Sequence, residues 1–377
     1  MKMKKQKAAA LLMALVLASG ALAGCKTSTT GAASTASGST NDLNSMSLAQ
    51  ITAEAKKEGS LQSVGMPDDW ANWGDTWTQY TAKYGIKHQD TDMSSAEELA
   101  IFQSEKNNPT KDIGDVGQSF GPLAVQKDLV QAYKTPYWND IPSWAKDKDG
   151  KWIVGYYGTI SFMTNTDSVK NPPKSWSDIL NGNYKVCVGD VTKANQSQNA
   201  VLAAAIAMGG SEKNIQPGID FFAKLAAQGR LDMGDSSMTR LEKGDVQVVI
   251  LWDYLSLGYR DKVKQSGSTV NYDVTVPTDG SVEGGYAEVI NKYAPHPAAA
   301  ALARDYILSD QGQINLAKGY ARPIRSDVKL PADVKAKLLP DSEYKKARPV
   351  KDFDAWDKTA EQLPEMWQEQ VLSKQKS

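Results

Sequence analysis

Cysteine and histidine are nearly missing, with two of each in 377 residues. Two thiols cannot build a disulfide framework, and two imidazoles cannot build several His-rich metal sites. An excess of charge is lacking too. The 43 Lys and Arg almost cancel the 44 Asp and Glu, for a formal net charge of −1. That balance removes nucleic acid as a default partner, because nucleic-acid modules are usually strongly basic. No uncharged apolar run reaches the ~20 residues that span a bilayer. With 41% hydrophobic and 23% charged residues, the chain is neither disordered nor a multi-span membrane protein. At roughly 100–200 residues per domain, its length suggests two or three folding units.

The start of the chain reads as an address. Lys2, Lys4, Lys5 and Lys7 precede an apolar run from Ala8 to Ala18, then small residues ending Leu22-Ala23-Gly24-Cys25. This is a cleaved signal pattern, expected over 1–24. The tetrapeptide resembles a bacterial lipobox, which implies that Cys25 is diacylated and becomes the mature N-terminus. Residues 25–47 are mostly Ser, Thr, Gly and Ala and read as a flexible, lipid-anchored tether. The expected location is the outer face of the cell membrane. Cys187, inside Lys185-Val186-Cys187-Val188, reads as an inert buried strand residue.

From Leu48 onward helices and short strands alternate, the pattern of parallel β-α-β packing. Trp73, Trp77, Tyr80 and Tyr84 predict an amphipathic helix ending at Gly85, and Ser94 to Glu97 reads as a helix-opening capping pattern. Strands are expected over 60–66, 86–92, 112–116, 186–191, 246–252, 272–276 and 285–290, and a β-rich stretch over 151–165. Helices are expected over 176–180, 198–208, 217–228, 238–243 and 297–313, and the remainder to Ser377 reads as charged and helical.

Several segments then carry a resemblance. They are Ala55-Lys56-Lys57-Glu58-Gly59, Phe162 to Asp167 with Pro172 to Leu180, Leu241 to Val246 before a strand ending Leu251-Trp252-Asp253, and Ala294 to Pro297 with Ile307 to Gln313. In that order and spacing the chain resembles the substrate-binding lipoproteins of ABC importers with the two-lobed type II periplasmic-binding fold, from Leu48 to about Leu330. The resemblance implies an α/β fold of two lobes, each a mainly parallel sheet flanked by helices, with the ligand in a cleft between them. It implies lobe 1 over 48–157 plus 284–377 and lobe 2 over 158–283. It further implies a small-molecule solute, permease and ATPase subunits as partners, a monomer, and no cofactor or resident metal. The crossings are expected near Gly155 to Gly158 and Pro277 to Gly285, where glycines suit a hinge.

Within that fold the solute is held by loops after strands and by helix N-termini. The stretches that qualify contribute Asp68, Asp69 and Trp70; Ser119; Thr192, Lys193, Asn195 and Ser197; Trp252, Asp253 and Tyr254; and Glu283 and Tyr286. Thr192 to Ser197 reads either as an anion site at a helix N-terminus or as a plain helix cap. Trp252 reads as a ligand wall or as core. An organic anion or zwitterion, such as a sugar phosphate or aminophosphonate, ranks first. A polyamine ranks second, because the acids and Trp70 suit alkylammonium groups. Ferric iron ranks third: the resemblance calls for an adjacent Tyr pair where this chain has Asp253-Tyr254, and Tyr156-Tyr157 lies in a strand whose successive side chains diverge. An enzyme is not expected, since neither His88 nor His296 sits in a nucleophile or metal signature. A surface lipoprotein acting as sensor or adhesin is the alternative from another class.

Overall fold

The computed structural model describes residues 42–376. The expected signal peptide, Cys25 and most of the expected tether therefore lie outside the described residues. The last tether residues pack onto the body. Leu43 is buried, and the Asn44 side chain accepts from the Lys134 N–H and donates to the Ala132 carbonyl.

Local signals set the first elements. Helix α1 (Leu48–Glu58) opens with a capping box between Ser47 and Gln50 and stops at Gly59, whose φ of 68° suits a residue without a side chain. Strand β1 (Ser60–Val64), α2 (Trp73–Tyr84), β2 (Lys87–Thr91), α3 (Ser95–Ser104), β3 (Ile113–Gly117) and α4 (Phe120–Gln126) follow. Ser94 and Glu97 form the expected capping box on α3. The long strand β4 (Trp152–Asn165) leads to α5 (Trp176–Asn181), β5 (Val186–Cys187), α6 (Asn195–Ala207), α7 (Gln216–Ala227), β6 (Leu231–Asp232) and α8 (Met238–Lys243). Next come β7 (Val248–Trp252), α9 (Asp253–Gln265), β8 (Tyr272–Thr275) and β9 (Ser281–Ile290), then α10 (Pro297–Leu308) and α11 (Asp310–Lys318). The chain closes with β10 (Arg322–Pro323), α12 (Ala332–Lys335), β11 (Ala347–Pro349) and α13 (Phe353–Gln370).

Three expectations need correction. The helix expected over 297–313 is two, because Ser309 is extended and its hydroxyl caps α11 by accepting from the Gly312 N–H. The strand expected over 186–191 ends at Cys187, since the chain turns at Gly189 with φ of 76°. The C-terminal remainder is not all helical: β11 pairs in parallel with β9.

The strands run in the order β2-β1-β3-β9-β4-β7-β5-β6. Two of them join the halves. Strand β4 pairs with β9 from Trp152 to Thr159, then with β7 from Ile160 to Thr164. Its glycines are required by close approach: a Cβ on Gly158 would lie 2.6 Å from the Tyr254 ring, and one on Gly284 of β9 would lie 2.5 Å from the Trp252 ring. The second half is filled by Trp176, edge-on to Phe162, Phe221 and Phe222. Full burial of side chains of this size contributes about 1.5–3 kcal/mol each.

The C-terminal helix belongs with that second core. Trp367 of α13 packs edge-on against Phe222 of α7, and Gln370 bonds Gln216. Arg348 of β11 pairs with Glu212 at 2.6 Å. The segment from 347 onward thus packs on elements of 158–283.

Candidate functional site

The loops after β1 and β2, strand β3 and the N-terminal end of α6 converge on one cavity of about 350 Å³, lined by Trp70, Asp92, Glu97, Glu98, Asp115, Lys193, Asn195, Gln196 and Tyr286 among others. One wall is aromatic. Trp70 stands edge-on to Tyr286 and Tyr254, with centroids 5.3 and 5.8 Å away. Tyr156 stacks on Tyr286 at 5.8 Å. The wall is fixed by a relay in which the Trp70 indole N–H donates to the Tyr156 hydroxyl, which donates to Asp115 Oδ2 at 2.5 Å.

The second wall is acidic. Asp115 is 1% exposed, and its Oδ1 has no hydrogen-bond partner. Glu98, equally buried, accepts from the Asp115 backbone N–H at 3.0 Å. Burial pushes both carboxyls well above the usual range, and the Asp115 charge raises Glu98 further. Asp92 is also raised, by burial first and then by Asp69 and Glu97. Gly65, with φ of 73°, lets the loop turn over Glu98, where a Cβ would lie 2.4 Å from a carboxylate oxygen.

The third wall is the N-terminus of α6. No side chain caps it, and its first hydrogen bond runs from the Gln198 N–H to the Ala194 carbonyl. The amides of Asn195, Gln196 and Ser197 therefore have no intrahelical acceptor, and the helix dipole favours negative charge there. Thr192 does not cap: its hydroxyl and N–H both serve Asp190. Lys193 reaches Glu97 across the mouth at 3.5 Å.

The structure brings Trp70, Lys193, Asn195 and Tyr286 together on this cavity. Ser119 touches it indirectly, donating to Asn195 Oδ1. The other expected residues have different surroundings. Asp68 and Asp69 border a separate cavity of about 260 Å³, and Asp69 pairs with Lys262 at 3.3 Å. Asp253 is buried and fully engaged: Oδ1 accepts from the Thr159 and Tyr254 N–H groups, and Oδ2 from the Tyr344 hydroxyl. Trp252 is core, its indole N–H directed to the Tyr286 hydroxyl at 3.4 Å. Tyr254 is buried behind Trp70. Glu283 lies in β9, raised by burial. Ser197 is buried in the first turn of α6. Tyr156 and Tyr157 diverge, the first facing Trp70 and the second packing edge-on to Trp144. Cys187 is buried, its thiol pushed up to about 11 by burial.

Sequence reasoning missed Asp92, Glu97, Glu98 and Asp115. Glu97 read only as part of a helix-opening pattern, and Glu98 was not singled out. Asp115 lies in β3, a strand with no exposed position, and its sequence neighbours gave no sign of that.

Among the described residues no helix is long and apolar enough to cross a membrane. No curated protein matches the chain. Among solved structures it is similar to the periplasmic binding protein AfuA of Actinobacillus pleuropneumoniae, determined with fructose-6-phosphate bound, at 20% identity and a TM-score of 0.64, covering 82% of this chain and 98% of that one. It is also similar to iron-bound HitA of Pseudomonas aeruginosa, at 17% identity and a TM-score of 0.63, covering 81% and 98%. A third is the spermidine/putrescine ABC transporter substrate-binding protein PotD of Streptococcus pneumoniae, at 18% identity and a TM-score of 0.61, covering 84% and 99%. These likenesses establish the two-lobed periplasmic-binding fold. The model of the bacterial extracellular solute-binding protein family matches residues 108–359, about two thirds of the chain, and the chain therefore belongs to that family, the solute-binding components of ABC importers.

Proposed function

We propose that the solute is a small zwitterion, an amine joined to an acid group as in an aminophosphonate, bound in the Trp70 cavity. One observation carries this reading: the cavity opposes a desolvated carboxylate with a free acceptor, Asp115, to the uncapped N-terminus of α6. The ammonium would meet Asp115 and Glu98 against the faces of Trp70 and Tyr286, where cation–π attraction adds to the charge. The acid group would meet the amides of Asn195 to Ser197, with Lys193 beside it. A sugar phosphate without an amine leaves Asp92, Glu98 and Asp115 facing an anion, which is unfavourable at short range in a desolvated site. The excess of carboxylates over Lys193 supports a second reading, a polyamine.

In this reading the bound chain delivers its solute to a permease driven by an ATPase, catalyses nothing itself, acts as a monomer, and is held at the outer face of the membrane by lipid on Cys25. The lobes would comprise 48–157 with 284 to about 325, and 158–283 with 347–377, joined by β4 and β9.

A thermal-shift panel tests the solute class. An aminoalkylphosphonate at 100 times its Kd should stabilise the chain by about 2.7 kcal/mol through mass action. Shifts from amine-free phosphate esters or ferric complexes alone would overturn the proposal, and shifts from spermidine alone would replace it with the second reading.

A further inference from the structure

A larger cavity, of about 450 Å³, lies between α4 and α13, with Gln198 of α6 also in its lining. Its apolar side is Phe120 and Leu123 with Ala360; its polar side on α13 is Asp354, Asp357 and Glu361. Two buried acceptors there lack donors. Gln198 is 3% exposed; its Nε2 is committed to the Val191 carbonyl at 3.2 Å, which leaves Oε1 without a partner. Asp357 Oδ1 is buried and unpartnered as well. Burial, then the charges of Asp354 and Glu361, push the Asp357 carboxyl up to about 7. The only cation among the lining residues is Lys358, exposed on the same helix as the acids.

A site with apolar walls, orphaned acceptors and crowded carboxylates calls for a donor that is positively charged at one end and apolar at the other. We propose that this cavity is a second small-molecule site, taking a primary amine with a compact apolar body. Its ammonium would donate to Asp357 Oδ1 and Gln198 Oε1, and its body would lie against Phe120 and Leu123. The site is separate from the Trp70 cavity: the two have no lining residue in common, although both draw on the first turn of α6.

Calorimetric titration of the full chain with phenethylamine tests this, with 2-phenylethanol and phenylacetate as controls for the charge. Phenethylamine should bind and the two controls should not. Asp357→Asn should weaken binding at least about tenfold, the equivalent of one charge-assisted hydrogen bond. Gln198→Leu, a change of similar volume, should weaken it too. Asp115→Asn, in the other cavity, should leave it unchanged. The proposal is overturned if phenethylamine does not bind, if phenylethanol binds as well, or if Asp115→Asn removes the binding that Asp357→Asn leaves intact. Loss through Asp115 would place the amine in the Trp70 cavity and support the zwitterion reading, so the two proposals fail separately.

Discussion

Asp115 has one oxygen served by Tyr156 and one without a hydrogen-bond partner, next to the equally unpartnered indole N–H of Trp73. A buried carboxylate in that state is costly when ionised, so burial raises its pKa, as it does that of neighbouring Glu98. The sign of the pH dependence follows. Raised carboxyls bind protons more tightly in the folded chain, so their contribution to stability is present below the ordinary values of about 4 and is lost as pH rises through the raised ones. A bound ammonium favours the ionised forms and reverses this. The midpoint shift produced by an amine-bearing solute should therefore grow as pH rises from about 4, and thermal melts across pH with and without solute will read it. Asp115→Asn should flatten that growth and weaken binding by roughly tenfold or more. A shift that shrinks with rising pH would contradict the assignment of the ammonium. The sequence reading singled out Trp70 and Tyr286 because both follow turn or strand signals, and both line the cavity. It could not place Asp115, because which face of a strand meets a cavity depends on distant loops. Asp253 differs for the converse reason: a polar residue at a strand end can pin backbone, as its bonds from the Thr159 and Tyr254 N–H groups do.

At the scale of elements, the C-terminal strand and the way the helix after it docks are the least expected features. Strand and helix attach to the second half through Glu212, which accepts from Arg348 at 2.6 Å and from the Lys351 N–H at 2.8 Å. Burial alone would raise the Glu212 carboxyl, but Arg348 and the backbone donors hold it down to about 2. A depressed carboxyl contributes stability above its ordinary value near 4.5, lost as pH falls toward 2. Glu212→Gln should cost about 1.5–3 kcal/mol at neutral pH, the range for charged hydrogen bonds, and the cost should vanish near the acid end of that window. Urea melts of both chains at several pH values check this. An equal cost at all pH values would mean that the pair is not ionic. Helices α1 to α3 were legible because caps and glycines are local. Strand β11 was not, because three residues paired to β9 leave no periodicity to detect.

The whole molecule is two halves of a sheet joined through β4 and β9, with a cavity at their meeting. Lys193 to Glu97, Lys262 to Asp69 and Ser119 to Asn195 span the groove at 3.5, 3.3 and 3.2 Å. Pairs as exposed as the two salt bridges are worth about 0–1 kcal/mol each, so they can close the groove without locking it. The order of segments along the chain made this architecture readable, since a family resemblance spreads over many weak signals. The candidate site was less readable, because its cavity is lined by a few side chains brought together from both halves. Diffraction from crystals grown with a saturating aminoalkylphosphonate measures that convergence directly. The account predicts density in the Trp70 cavity, with the amine within about 3 Å of Asp115 and the acid group on the α6 amides. Bound solute with its acid group toward Asp115, or density only outside the groove, would contradict it.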